Sequence, residues 1–176
     1  TTIHSINVMA LTIGYCFYNH LTEEETRQFG LASLLHDLGK TEIPGDILTA
    51  NRGLTDAEFE KMKKHPSLGF EILKTTGIDM KIATEGALEH HEKLDGSGYP
   101  EGKTNISECG MLLGIIDCYE AITNDDRPYR SSMQPMTALQ LIKGDVDKCK
   151  YNKKIFETFA YSLTDFNRTG KYKDFF

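Results

Sequence analysis

Imidazole and carboxylate side chains recur in this chain on segments that are otherwise apolar. The segment HDLGK places His36 and Asp37 after a run of apolar residues and immediately before Gly39. A buried carboxylate destabilises a fold unless it is paired with a cation or coordinates one. Two interpretations follow. Either Asp37 meets Lys40 while His36 caps helix carbonyls, or both side chains bind a metal ion.

The stretch HHEKLDGSGYP, residues 90–100, concentrates further groups of this kind. Adjacent residues on an α-helix point about 100° apart, so His90 and His91 can serve one site only where the helix ends. The glycines that follow permit backbone turns forbidden to other residues. They can hold Tyr99 and Pro100 as a rigid edge of a pocket, where Tyr99 has either a binding role or a purely structural one.

Three more candidates lie among apolar neighbours elsewhere in the chain. Asp117 interrupts LLGIIDCYEAI, in the most apolar helix that the sequence predicts. His65 precedes a proline in KKHPSLG, and His4 lies among isoleucines near the N-terminus. Each histidine alone fits a structural role, whereas the aspartate requires a cation. The candidate ligands, taken together, are His4, His36, Asp37, His65, His90, His91 and Asp117.

This set of side chains suits a pair of metal ions. Imidazole and carboxylate are ligands for iron, manganese or zinc. The candidates outnumber the ligands of one tetrahedral ion, and one carboxylate can bridge two. Metal pairs about 3.5–4 Å apart serve phosphate-ester hydrolysis. The sequence therefore predicts two divalent metal ions and a phosphohydrolase.

Cationic side chains near these ligands suit an anionic substrate. Lys40 lies just beyond the glycine of HDLGK and can swing back to add positive charge at the transition state. Arg127 and Arg130 are three residues apart and can present guanidinium groups to phosphate oxygens. Ordinary salt bridges with Asp125 and Asp126 are the alternative for these arginines.

The elements that position these groups are predicted to be helices, with no convincing strand pattern. Capping boxes at Thr22 with Glu25 and at Thr55 with Glu58 mark two helix starts. The first predicted helix ends near Asn19. The others run from Thr22 to about Leu38, from Thr55 to about Lys74, from Asp79 to His91, from residue 106 to residue 123, from about Met136 to about Lys143, and from Lys153 to about Leu163. The segment 92–105 is the one long irregular stretch, so an all-α bundle with a long loop is expected.

Composition narrows the class of protein. The chain has 176 residues, a net charge of −6 and a pI near 5.5, which argues against a surface for nucleic-acid polymers or anionic lipids. It contains no apolar run long enough to span a membrane. The four cysteines form no CxxC pair, as expected for a reduced, cytoplasmic protein. Because the first residue is Thr1 and the opening already reads as helix, we expect a fragment of a longer signalling protein with an upstream regulatory domain.

In their order along the chain, the candidate metal ligands and the motifs around them resemble the HD-GYP family of HD-domain metal-dependent phosphohydrolases. The resemblance covers nearly the whole chain. It rests on HDLGK (36–40), KKHPSLGFEIL (63–73), HHEKLDGSGYP (90–100), DCYEAIT (117–123) and RPYR (127–130).

The resemblance implies an all-α HD-domain helical bundle with a long GYP loop over residues 1–176. The implied activity is hydrolysis of cyclic di-GMP to the linear dinucleotide or to GMP, with iron or manganese as the metals. Asp37 matches the family's bridging carboxylate and Lys40 a lysine that contacts the scissile phosphate. Arg127 and Arg130 match basic residues near the substrate phosphates. The implied partners are a GGDEF-type domain at the GYP loop, beside Tyr99, and a second copy in a homodimer.

Two departures from the family qualify these expectations. Some trinuclear members carry a glutamate one helical turn before the first histidine, which here would precede Thr1, so two metals are expected. The segment 101–110 looks short and bears on nucleotide preference. Three alternatives remain: an HD hydrolase for another nucleotide or cyclic dinucleotide, a weakly active nucleotide-binding regulatory module, and a purely structural helical domain. Glu92 is expected to accept an N–H from a ligand histidine.

Overall fold

A computed structural model describes residues 2–76, 81–124 and 133–168 of the chain, and the secondary structure in these three stretches is helical. The helices are α1 (Thr2–Tyr18), α2 (Glu23–Leu35), a 3-10 helix (Leu38–Glu42), α3 (Gly45–Leu48), α4 (Asp56–Met62), α5 (His65–Thr75), α6 (Lys81–Glu89), α7 (Glu108–Thr123), α8 (Pro135–Asp147) and α9 (Lys153–Arg168). The predicted all-α fold is confirmed. None of the helices described is long and apolar enough to cross a lipid bilayer.

Helix α7 forms the centre of the core. Its residues Leu112, Leu113, Ile115 and Ile116 are fully buried, and at 100° per residue these positions form one apolar face about 160° wide. Helices α1, α6, α8 and α9 pack around it. Asp117 of the same helix is therefore held toward the interior, with only 15% of its side chain exposed.

Local capping signals place two of the helix starts. Thr22 and Thr55 each accept the backbone N–H of the glutamate three residues later, and each glutamate accepts the threonine backbone N–H in return. Both predicted capping boxes, with Glu25 and Glu58, are confirmed. They satisfy N–H groups that the first helical turn leaves without a partner.

The helix predicted to continue to Leu38 ends at Leu35, and a 3-10 helix follows. A methyl group on Gly39 would lie 2.0 Å from the His65 carbonyl oxygen and 2.4 Å from the Gly69 nitrogen. Only glycine allows this close packing of the 3-10 helix on α5. The glycine of HDLGK thus permits a backbone contact with α5 rather than ending α2.

The single helix predicted from Thr55 to about Lys74 is two helices, α4 and α5, separated by a turn at Lys63 and Lys64. Pro66 lies in the first turn of α5. Its ring crowds the preceding turn and it has no N–H to donate, so a continuous helix is disfavoured there. The break makes His65 the first residue of a new helix.

The remaining boundaries differ less from prediction. Helix α6 ends at Glu89 rather than at His91, and α8 and α9 extend beyond the predicted ends. Asp79, the predicted cap of α6, lies outside the described residues. The irregular stretch between α6 and α7 is confirmed.

Candidate metal centre

All seven predicted ligands come together at one place in the bundle. They are His4 on α1, His36 and Asp37 after α2, His65 at the start of α5, His90 and His91 just after α6, and Asp117 on α7. The prediction that adjacent histidines can share a site only at a helix end agrees with where α6 stops.

Asp37 stands between two groups of imidazoles. Its Oδ2 atom lies 3.6 Å from His4 Nε2 and 3.5 Å from His36 Nε2. Its Oδ1 atom lies 3.4 Å from His65 Nε2 and 3.9 Å from His90 Nε2. The two oxygens of one carboxylate therefore face two different sets of nitrogen atoms.

Two clusters of potential ligands result. His4, His36 and Asp37 form one, and His65, His90 and His91 form the other. Within each cluster the candidate ligand atoms lie within 4.8 Å of one another. Asp117 borders the first cluster, since its Oδ1 atom is 3.0 Å from His4 Nε2 and 4.0 Å from His36 Nε2.

Backbone carbonyls fix the orientation of three histidines. The Nδ1 atoms of His36, His65 and His90 lie 2.6, 2.7 and 2.9 Å from the carbonyl oxygens of Ser33, Met62 and Ala87, respectively. A carbonyl can only accept, so each Nδ1 carries the proton. Each Nε2 then directs a lone pair toward Asp37, as a metal ligand must.

His4 is held by a carboxylate instead. Its Nδ1 atom donates to Glu120, a buried residue that also accepts from Asn7 at 2.8 Å and from Asn124 at 2.6 Å. Glu120 is not among the residues predicted from the sequence. The available signal was its position three residues after Asp117, on the same face of an apolar helix.

Burial sets the protonation of the second cluster. It lowers the pKa of His65 to about 4 and that of His91 to about 3, and places the pKa of His90 well below its usual value. These rings are therefore neutral at pH 7, the form that binds a metal. Burial also acts to lower the pKa of His4, but hydrogen bonds with Asp117 and Glu120 outweigh it and raise that pKa to about 9.

The two aspartates are held as carboxylates. Burial acts to raise the pKa of Asp37, but electrostatic interactions with the His36 ring and the Lys40 ammonium group outweigh it and lower the pKa. Burial likewise opposes ionisation of Asp117, whose hydrogen bond with His4 brings its pKa well below the usual range. Both side chains are thus ionised at neutral pH.

Unpaired buried atoms show that this centre fits a cation. His36 Nε2 and Asp37 Oδ1 are buried and have no hydrogen-bond partner among the described residues. An unsatisfied buried acceptor costs about 1–3 kcal/mol. A divalent ion would satisfy both atoms, and the mixture of imidazole and carboxylate donors suits iron, manganese or zinc.

A family model described as HD domain matches residues 4–155, which span the whole centre. The chain belongs to the HD domain family. The doublet His36–Asp37, on which both clusters converge, lies within the matched range.

Characterised relatives of this HD domain are phosphodiesterases by name. Cyclic di-GMP phosphodiesterase PA4108 of Pseudomonas aeruginosa is 37% identical over 142 residues, 80% of this chain and 34% of the relative. Cyclic di-GMP phosphodiesterase PdeB of Borreliella burgdorferi is 34% identical over 164 residues, 92% of this chain and 42% of the relative. 3'3'-cGAMP-specific phosphodiesterase 1 of Vibrio cholerae is 30% identical over 142 residues, 80% of this chain and 32% of the relative. The chain thus spans between 32% and 42% of the length of these three relatives, and the resemblance found in its motifs is confirmed.

Solved structures confirm the fold. Bd1817, an HDGYP protein from Bdellovibrio bacteriovorus, superposes with a TM-score of 0.72 at 18% identity, over 93% of this chain and 52% of that one. The HD domain of the Listeria monocytogenes phosphodiesterase PgpH, in complex with cyclic-di-AMP, superposes with a TM-score of 0.69 at 16% identity, over 97% of this chain and 91% of that one. The all-α HD bundle predicted from the sequence is therefore the fold of this chain.

Lys40 and Tyr99 lie beside the candidate metal centre. The Lys40 ammonium nitrogen is 2.5 Å from Asp37 Oδ2, so the ion pair considered from the sequence forms within the ligand cluster. The Tyr99 ring stacks on His91, with centroids 4.6 Å apart and planes 28° apart. Burial raises the pKa of the Tyr99 hydroxyl above its usual value.

The remaining residues predicted for the site are Arg127, Arg130 and Glu92. Arg127 and Arg130 lie outside the described residues. The expectation for Glu92 is wrong, because its buried carboxylate accepts the backbone N–H groups of Glu101 at 2.7 Å and Lys103 at 3.0 Å. Glu92 therefore holds the loop after the signature segment and orients no histidine.

Proposed function

We propose that this HD domain is a metal-dependent phosphodiesterase that hydrolyses cyclic di-GMP to the linear dinucleotide, to GMP, or to both. The observation that carries the proposal is the position of Asp37, whose two oxygens face two separate imidazole clusters. A carboxylate so placed suits a bridge between two cations. The names of the relatives from Pseudomonas and Borreliella support cyclic di-GMP as the substrate.

Two divalent ions, iron or manganese, would be held by the two clusters. One would be bound by His4, His36 and Asp117, the other by His65, His90 and His91, with Asp37 shared. When bound, such ions lower the pKa of a water molecule and neutralise charge on a phosphate ester. The lowered pKa values of the second cluster keep its nitrogens free to bind at neutral pH.

The chain's own side chains add charge and shape around that pair. Lys40, a quarter exposed and adjacent to Asp37, can bind a phosphoryl oxygen and stabilise its negative charge in the transition state. Tyr99 forms a wall of the site next to His91. Arg127 and Arg130 are proposed to bind the substrate phosphates through their guanidinium groups.

A second candidate substrate is a mixed cyclic dinucleotide. The Vibrio relatives named 3'3'-cGAMP-specific phosphodiesterases are 30–40% identical to this chain over their matched segments. The same metal centre would serve that substrate, because the reacting group is a phosphodiester in both. A regulatory module that binds nucleotide with little turnover is the remaining alternative.

Partners and location stay predictions of the sequence. The predicted location is the cytoplasm. The predicted partners are a GGDEF-type domain bound at the GYP loop and a second copy of the chain in a homodimer. An upstream regulatory domain is predicted in a longer signalling chain.

Anaerobic purification, elemental analysis and a phosphodiesterase assay on a panel of cyclic dinucleotides test the proposal. We expect about two metal ions per chain and the fastest turnover with cyclic di-GMP. Asp37→Asn should lower kcat by more than about 100-fold. Loss of a residue that only hydrogen-bonds a metal ligand costs up to about 100-fold, and loss of a ligand itself should cost more. Asp147→Asn, an exposed acid on α8, is the matched control and should match the wild type.

The other outcomes each identify a different function. Faster turnover of 3'3'-cGAMP would assign the second candidate substrate. Bound nucleotide without product would assign the regulatory module. A folded protein that takes up no metal would overturn the hydrolase altogether.

A further inference from the structure

Phe59 is an exposed aromatic residue on the outer side of the metal centre. It lies on α4, a helix with no buried residues, and 46% of its surface is open to solvent. A phenylalanine in that position contributes little to the core. Its neighbours, rather than its burial, indicate what it does.

A continuous line of rings joins Phe59 to the ligands. The Phe59 ring meets Tyr99 edge to face, with centroids 6.4 Å apart and planes 79° apart. Tyr99 in turn stacks on His91, a member of the second ligand cluster. Phe59 is therefore one ring beyond the wall of the site, with much of its own surface free.

Positive charge accompanies this ring. The Lys63 ammonium nitrogen is 5.6 Å from the Phe59 ring centroid, within cation–π range, and 2.5 Å from Glu60. Lys40 supplies a second cation at the centre itself. Lys40 therefore places a cation at Asp37, and Lys63 places another at Phe59, one ring beyond Tyr99.

We propose that Phe59, flanked by Lys63, is an outer subsite that stacks one purine base of the cyclic dinucleotide. The inference rests on the proposed function. A cyclic dinucleotide whose phosphate is at the metals necessarily carries a nucleoside on each side of that phosphate, so one base extends toward the rim. Base–aromatic stacking tolerates any base, because every base has a π-face. Phe59 thus adds affinity for the substrate without choosing between guanine and adenine.

Kinetics of two substrates separate this role from a structural one. Phe59→Ala should raise KM for cyclic di-GMP about tenfold, a typical loss for one stacking contact, and leave kcat nearly unchanged. Hydrolysis of methyl p-nitrophenyl phosphate, a phosphodiester with no purine, should not change. Phe59→Tyr should restore the wild-type KM. Phe17→Ala is the matched control, since Phe17 is 68% exposed and is 13 residues from His4 along α1, about 20 Å away.

A binding signal provides a readout independent of turnover. The chain contains no tryptophan, so Phe59→Trp introduces a single tryptophan whose emission can be excited apart from that of the tyrosines. Stacking should quench its emission on rapid mixing with cyclic di-GMP, and Phe17→Trp should show no quenching.

Each contrary result has one meaning. An active wild type with an unchanged KM in Phe59→Ala, or no quenching in an active Phe59→Trp, overturns the subsite and leaves the proposed function intact. Equal losses on both substrates show that the ring merely supports the centre, which also overturns it. A metal-loaded wild type that turns over no cyclic dinucleotide overturns the proposed function and the subsite with it.

Discussion

At the scale of single residues, the ligand histidines differ in what holds their second ring nitrogen. Carbonyl oxygens hold His36, His65 and His90, whereas a buried carboxylate, Glu120, holds His4. A negatively charged acceptor makes the opposite nitrogen a stronger base and a better ligand. Asn7 and Asn124 fix the Glu120 side chain in turn.

The substitution Glu120→Gln tests this arrangement, because it keeps the shape and removes the charge. We expect metal affinity to fall about 10–100-fold, as for other supporting partners of metal ligands, when it is measured by competition with a chelator. Activity should recover at excess metal. Glu108→Gln, an exposed acid on the same helix, is the control. Equal affinities in the two variants would show that Glu120 serves packing alone.

The convergence of the candidate ligands could be predicted from the sequence because each is a polar group in an apolar context. Asp117 within its helix had to meet a cation, and the structure places it against His4. Glu120 lies in the same kind of context, yet its partner could not be predicted. Which acid of α7 borders the first ligand cluster and which holds the His4 Nδ1 atom depends on the register between α1 and α7, a tertiary quantity.

At the scale of elements, features that depend on a few neighbouring residues could be predicted from the sequence. Features that depend on tertiary contacts could not. The capping boxes at Thr22 and Thr55 are local, and both formed as predicted. The role of Gly39 is not local, because it depends on the approach of the His65 carbonyl from α5. The same holds for Glu92, whose partners are backbone groups about ten residues further along the loop.

The signature loop depends on one such contact at Gly98. A methyl group there would lie 2.4 Å from the Lys93 nitrogen and 2.5 Å from the His91 carbonyl oxygen. Both are backbone atoms, so no side-chain rotation relieves the clash. The loop must instead move, and Tyr99, which follows directly, moves with it.

We therefore expect Gly98→Ala to lower Tm by about 5 °C, since overpacking costs about 1–3 kcal/mol. Displacement of the wall beside His91 should lower kcat about 10- to 100-fold. Differential scanning calorimetry and the phosphodiesterase assay measure the two effects. Gly53→Ala, at a loop glycine with no atom within 4 Å of the added carbon, should change neither. A fully active, equally stable Gly98→Ala protein would show that the loop adapts without loss.

At the scale of the whole molecule, the candidate metal centre is a cluster of buried polar side chains within an apolar bundle. The core around α7 supplies hydrophobic stabilisation, while His36 Nε2 and Asp37 Oδ1 stay unmatched inside it. The burial that lowers the pKa of His65 and His91 keeps those rings neutral. The fold therefore holds the ligands in place at a cost in stability that bound cations would offset.

Removal of metal should consequently destabilise the entire domain. A ligand present at about 100 times its Kd stabilises the folded state by about 2.7 kcal/mol, which for a protein of this length shifts Tm by about 5–10 °C. We expect a chelator to lower Tm of the wild type by that amount and added manganese to restore it. Asp37→Asn, which lacks the shared carboxylate, should show a smaller Tm change with both reagents. If chelation left the wild-type Tm unchanged while elemental analysis confirmed loss of the ions, their binding energy would not be coupled to folding. His36 Nε2 and Asp37 Oδ1 would then have to form hydrogen bonds within the protein once the ions are removed.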